Sequence, residues 1–86
     1  MSYMDKVLAE IENRTKIQHI LDKYGFSRIL LRQYFVLQAK GHNNSEIAKE
    51  TGVHRSTIQR YSRKLKESLE SEFVILHTAL VITNEM

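Results

Sequence analysis

The chain contains no cysteine and no proline, and its only glycines are Gly25, Gly41 and Gly52. Without cysteine there is no disulfide, no zinc–thiolate site and no thiol nucleophile, which excludes the small secreted scaffolds that rely on cross-links. Without proline the strongest helix breaker is missing, and the three glycines are left as natural places for helices to stop. No apolar run reaches the roughly 18 to 20 residues that span a bilayer. The opening Met1-Ser2-Tyr3-Met4-Asp5 lacks the basic-then-apolar layout of a signal peptide. These absences predict an all-α chain working in the cytoplasm. With 86 residues it can enclose one core, burying about 60 to 65 % of its unfolded surface, so residues 1–86 read as a single domain.

The groups of an active site are also scarce. His19, His42, His54 and His77 are scattered, with no i, i+4 pair and no neighbouring acids at metal-ligand spacing. There is no nucleophile motif, no glycine-rich phosphate loop and no pair of catalytic carboxylates. The expectation is a protein that is not an enzyme and needs neither cofactor nor metal.

What is present is base, unevenly placed. The formal charge is only +3. Yet Lys23, Arg28, Arg32, Lys40, Lys49, Arg55, Arg60, Arg63, Lys64 and Lys66 face only Glu46 and Glu50 over that stretch. From Glu67 onward the chain carries Glu67, Glu70, Glu72 and Glu85 and no Lys or Arg. A basic block concentrated in the middle of a small domain is the electrostatic footprint of a polyanion binder.

Apolar periodicity divides the chain into helices. Met4, Val7, Leu8 and Ile11 form one stripe and Ile17, Ile20, Leu21 and Tyr24 a second. At about 100° per residue the second is rotated by roughly 140° from the first. Either the chain breaks near Asn13 with Thr15 capping a new helix, or one helix buries two sides. Both readings put the first stripe away from the main core face, folded back on the domain or used as a dimer contact. Gly25 closes the second helix, and Ser27 caps a third through Ile29, Leu30, Leu31, Tyr34, Phe35, Val36 and Leu37 to Lys40. Apolar nearly all round, this third helix is predicted to be the central element.

After Gly41, one of Asn43, Asn44 or Ser45 can cap a short helix, and Glu46 complements its positive end. That helix stops at Gly52, and His54 or Ser56 opens another carrying Ile58, Tyr61, Leu65 and Leu69 inward. Two helices joined by three or four residues must cross at a large angle, which is helix-turn-helix geometry, here over about residues 44–66. Ala48 sits where the helices cross, Gly52 supplies a left-handed turn, and Ile47, Val53, Ile58 and Tyr61 fill the wedge.

Gly41 to Leu65 resembles the helix-turn-helix of LuxR-type response regulators and of region four of bacterial sigma factors. It is similar as well to the Gly-Val-x-Arg-Ser-Thr-Ile phrase of transposase and resolvase DNA-binding segments. The likeness covers Arg28 to Lys66 and rests on Ser45-Glu46-Ile47-Ala48, Gly52-Val53 and Ser56-Thr57-Ile58. It departs at Thr51, where an aliphatic is usual; the hydroxyl can bond back to the helix while the methyl covers the core. Nothing upstream resembles a phosphate-receiving domain. The resemblance implies binding of double-stranded DNA, with the helix from Arg55 in the major groove. Base contacts then fall to Arg55, Ser56, Gln59, Arg60 and Arg63, since arginine can pair with guanine and glutamine with adenine. Phosphate contacts fall to Asn44, Ser45, His54, Thr57, Lys64 and Lys66.

The stretch from Phe73 to Ile82 is ambiguous. Leu65, Leu69, Phe73, Leu76 and Leu80 keep helical spacing, whereas Val74, Ile75, Thr78, Val81, Ile82 and Thr83 favour a strand. Helix is the reading adopted, with strand as the alternative, so the expectation is five helices with this apolar C-terminal segment. The segment is too apolar to stand alone in water, so the N-terminal helix or a second subunit should cover it. A homodimer reading an inverted repeat follows, as a small nucleoid-associated transcription regulator, repressor rather than activator. The alternatives are a sigma-like adaptor contacting RNA polymerase or another protein, and a DNA-binding protein for transposition or recombination.

Overall fold

A computed structural model describes residues 3–85, and every element in it is a helix: α1 Tyr3–Asn13, α2 Thr15–Tyr24, α3 Arg28–Ala39, α4 Asn44–Thr51, α5 Arg55–Leu69 and α6 Ser71–Glu85. The five helices and the apolar C-terminal segment thus become six helices. There is no strand among the described residues. For α6 the β-branched content loses to tertiary packing: Phe73, Leu76 and Leu80 are buried at helical spacing in the same core as Leu65 and Leu69 of α5.

The break between α1 and α2 is one residue, Arg14, held extended at φ −67, ψ 137. Arg14 occupies the capping position without a side-chain cap, and Thr15 is already helical and exposed. That extended residue corrects the placement of the first stripe. On a straight helix the two stripes would diverge. Re-aimed at Arg14, both enter the same core, where Leu8 and Ile11 are buried with Ile17, Ile20 and Leu21. Met4 and Val7 are half-buried against that core. α1 is folded back, packed on α2 and α6, and tied to α3 by Glu12 and Arg32 at 2.8 Å.

Helix α3 buries Leu31, Tyr34, Phe35 and Ala39 but leaves Ile29 exposed. The centre is therefore not α3 alone. α5 packs against α2, α4 and α6, and α6 against α1, α3 and α5, because α6 offers apolar residues on every side and α5 a continuous inner stripe. Ser27 caps α3 by accepting from the Leu30 amide at 3.4 Å, and Gly25 closes α2 in the left-handed region at φ 65. Between α5 and α6 the chain turns on Glu70, a non-glycine residue at φ 53.

Candidate nucleic-acid interface

The interface begins with how α4 and α5 are fixed. Asn43 and Glu46 form a capping box: the Asn43 side chain accepts from the Glu46 amide at 2.9 Å, and Glu46 accepts from the Asn43 amide at 3.1 Å. Two of the free donors at the start of α4 are thereby satisfied, which is worth roughly 1 kcal/mol. The helix ends where Gly52 takes φ 73. Thr51 explains how the turn does without an aliphatic. Its hydroxyl donates to the Ile47 carbonyl at 2.8 Å and accepts from the Val53 amide at 3.3 Å, so it satisfies a donor in the turn that a hydrocarbon would leave free.

His54 caps α5. Its Nδ1 accepts from the Ser56 amide at 3.2 Å and lies 2.7 Å from the Ser56 hydroxyl. An accepting Nδ1 carries no proton, so in this arrangement the ring proton is on Nε2. Ile58, Tyr61, Ser62, Leu65 and Leu69 point inward from the helix that follows.

Aromatic contacts fix its rotation. The Tyr61 ring stacks on Phe26 at 4.0 Å, Phe26 stacks on Tyr24 at 5.5 Å, and the Tyr61 hydroxyl donates to the Ser27 carbonyl at 3.1 Å. From the other side the Tyr34 hydroxyl donates to Ser62 Oγ at 2.7 Å, entirely buried. Burial pushes both phenols above the usual tyrosine range, with the Ser62 bond partly opposing the shift at Tyr34. Ser62 was not singled out in the sequence. Its signal was its place between Tyr61 and Leu65 on the inner stripe, facing a helix that carries a tyrosine.

With α5 so oriented, Arg55, Ser56, Gln59, Arg60 and Arg63 are all exposed and share its outer face at helical spacing. Arg55, Gln59 and Arg60 make no side-chain hydrogen bond or ion pair among the described residues. Arg63 is 4.0 Å from Glu67, an exposed pair of little energetic weight.

The residues expected at phosphate divide into groups. Asn44 and Ser45 lie in the first turn of α4, and His54 and Thr57 at the start of α5. Lys64 and Lys66 splay apart. Lys64 leans toward α2, its Nζ 5.4 Å from the Tyr24 ring and 3.7 Å from Glu67. Lys66 turns to α6, over Phe73 at 5.6 Å, and so stands apart from the rest. Glu67 ends the basic face, leaving roughly the first three turns of α5 free of acid.

No helix among the described residues is long and apolar enough to cross a membrane. A family model for the homeodomain-like domain matches residues 26–71, which takes in α3, α4 and α5 and leaves α1, α2 and nearly all of α6 outside. No curated protein and no solved structure matches the chain. Three helices with a glycine turn between the last two, matched over more than half of the sequence, place this chain in the homeodomain-like family of helix-turn-helix DNA-binding domains.

Proposed function

We propose that the protein is a sequence-specific DNA-binding transcription regulator, acting as a dimer at the nucleoid and repressing rather than activating. The observation that carries this reading is the outer face of α5. Arg55, Gln59 and Arg60 stand exposed and unpaired directly after the Gly52 turn. Side chains with planar donor forks are held ready there on a helix whose rotation is fixed from two sides. In the major groove Arg55 and Arg60 read guanine and Gln59 reads adenine, each pairing discriminating by about 1 to 3 kcal/mol. Ser56 and Arg63 complete the base-facing set, and Asn44, Ser45, His54 and Thr57 fix the register through phosphates.

The dimer rests on α6. Val74, Ile75 and Ile82 are 63, 62 and 55 % exposed on a face with no charge between Glu72 and Glu85, and Glu72 is taken up within the chain by Arg14 and Lys16, each at 3.9 Å. A second copy can meet this face without like-charge repulsion. Covering each side chain returns on the order of 1 kcal/mol against an association cost of about 4 kcal/mol or more. The free dimer is accordingly weak and is strengthened when both copies hold half-sites of an inverted repeat.

The test is fluorescence anisotropy of a labelled mixed-sequence duplex across a salt series, followed by selection of the preferred site. Log affinity should fall with log salt at about −0.9 per phosphate contacted. Arg60→Ala should reduce preference for the selected site by about 1 to 3 kcal/mol, while leaving binding to other sequences within a few-fold. Absence of binding at low salt, or a preference that Arg60→Ala leaves unchanged, defeats the proposal.

A further inference from the structure

Helix α2 lies outside the homeodomain-like unit, yet its last turn is joined to the middle of α5. Tyr24 stacks on Phe26 and Phe26 on Tyr61, an aromatic ladder running from the end of α2 into α5. Two ammonium groups sit on the outer rung: Lys23 Nζ and Lys64 Nζ are each 5.4 Å from the Tyr24 ring centre. They are therefore within about 11 Å of one another, close to the Debye length of about 10 Å at 0.1 M salt. Each is attracted to the ring and repelled by the other. Glu67 is the carboxylate that offsets Lys64, and no carboxylate among the described residues pairs with Lys23. Arg28, the next base along the chain, donates to Gln18 at 2.9 Å.

We propose that Lys23 and Lys64, converging on Tyr24, form a phosphodiester clamp beside α5, so that α2 extends the DNA footprint beyond the helix-turn-helix. The proposal rests on the DNA-binding reading above. Lys64 lies on the flank of α5 that faces α2, next to the base-reading face rather than behind it. A backbone phosphate running along that flank meets two cations on one rigid support. It also replaces Glu67 as the partner of Lys64. The contact reads no sequence; it fixes how deeply and at what tilt α5 sits in the groove.

The experiment uses the full chain, a labelled mixed-sequence duplex and a salt series. Lys23→Ala should lower the magnitude of the salt slope by about 0.9 and weaken binding several-fold on all sequences alike. Lys6→Ala removes the same charge from α1, which packs on α6 and α2, and should leave the slope unchanged. Because both lysines hold the same phosphate, Lys23→Ala should cost less in a Lys64→Ala background than in the native chain. If the native chain does not bind DNA, the functional reading fails and the clamp with it. If the native chain binds and Lys23→Ala keeps the native slope, or Lys6→Ala lowers it equally, the clamp alone is overturned. Strict additivity of the two lysine variants overturns the shared phosphate.

Discussion

Helices α5 and α6 are consecutive, both fifteen residues long, and both bury a leucine-rich stripe in the same core. Their outer faces are opposites. α5 shows Arg55, Gln59, Arg60 and Arg63 to solvent, while α6 shows Val74, Ile75 and Ile82. Inner stripes of this kind decide the fold and are interchangeable in character. Outer faces decide what else the protein touches: a charged, donor-rich face stays soluble until a polyanion arrives, whereas an apolar one gains from any dry cover.

The contrast can be tested from the largest effect downward. Ile58 lies fully buried on α5 and Ile75 is exposed on α6, so truncating the same side chain should have unequal consequences. Ile58→Ala should lose about 2 to 5 kcal/mol of folding stability, whereas Ile75→Ala should stay within about 0.5 kcal/mol, both read by urea denaturation at low protein concentration. Similar losses at the two sites would mean that the face of α6 is already covered within one chain.

Ile75→Asp should then weaken self-association at least tenfold, about 1.4 kcal/mol, in sedimentation equilibrium, with the helical signal of the monomer unchanged. An unchanged association constant, or no self-association in the native chain, would overturn the proposed dimer through α6.

The smallest effect lies on the inner side of α5. The Tyr61 phenol is held above its ordinary value of 10.0 by burial. Above pH 10 the unfolded chain releases this proton while the folded one keeps it, so the native state binds more protons and stability falls as pH rises. The contribution is complete below pH 10 and is lost progressively above it. Thermal melts between pH 9 and 11.5 should therefore show a shallower decline for Tyr61→Phe than for the native chain; parallel curves would indicate that Tyr61 is not the titrating group.

Much of this architecture was legible in the residues because it is local. Ser27 and Gly52, and the helical spacing of Ile58, Tyr61, Leu65 and Leu69, each act within one turn of the chain, and the sequence carries them directly. Thr51 belongs here too, since its hydroxyl bonds within its own helix. The rest depends on neighbours distant in sequence. The first apolar stripe was placed off the core because periodicity assumes a straight axis, and a single extended Arg14 changes the axis without changing the spacing. The ambiguity of α6 comes from β-branched side chains set against leucines at helical spacing, a balance that is decided by packing on other helices. Lys23 counts only toward the basic block and Tyr24 only toward the second stripe when the sequence is read alone, because the partner that joins them, Lys64, is about forty residues further on.

Glu70 makes the turn from α5 to α6 with one residue in a region where side chains are rarely found, at a cost of order 1 to 3 kcal/mol that the surrounding packing must offset. A joint this short transmits angle as well as position, and works as a gear between the two helices. In the proposed dimer through α6, the direction in which each α5 points, and with it the phase of the two half-sites along the duplex, would be set at that joint. One residue added there would turn α6 by about 100°, putting Phe73 where Val74 had been and Val74 where Ile75 had been, and the two reading heads of the proposed dimer would no longer fall in step with the groove.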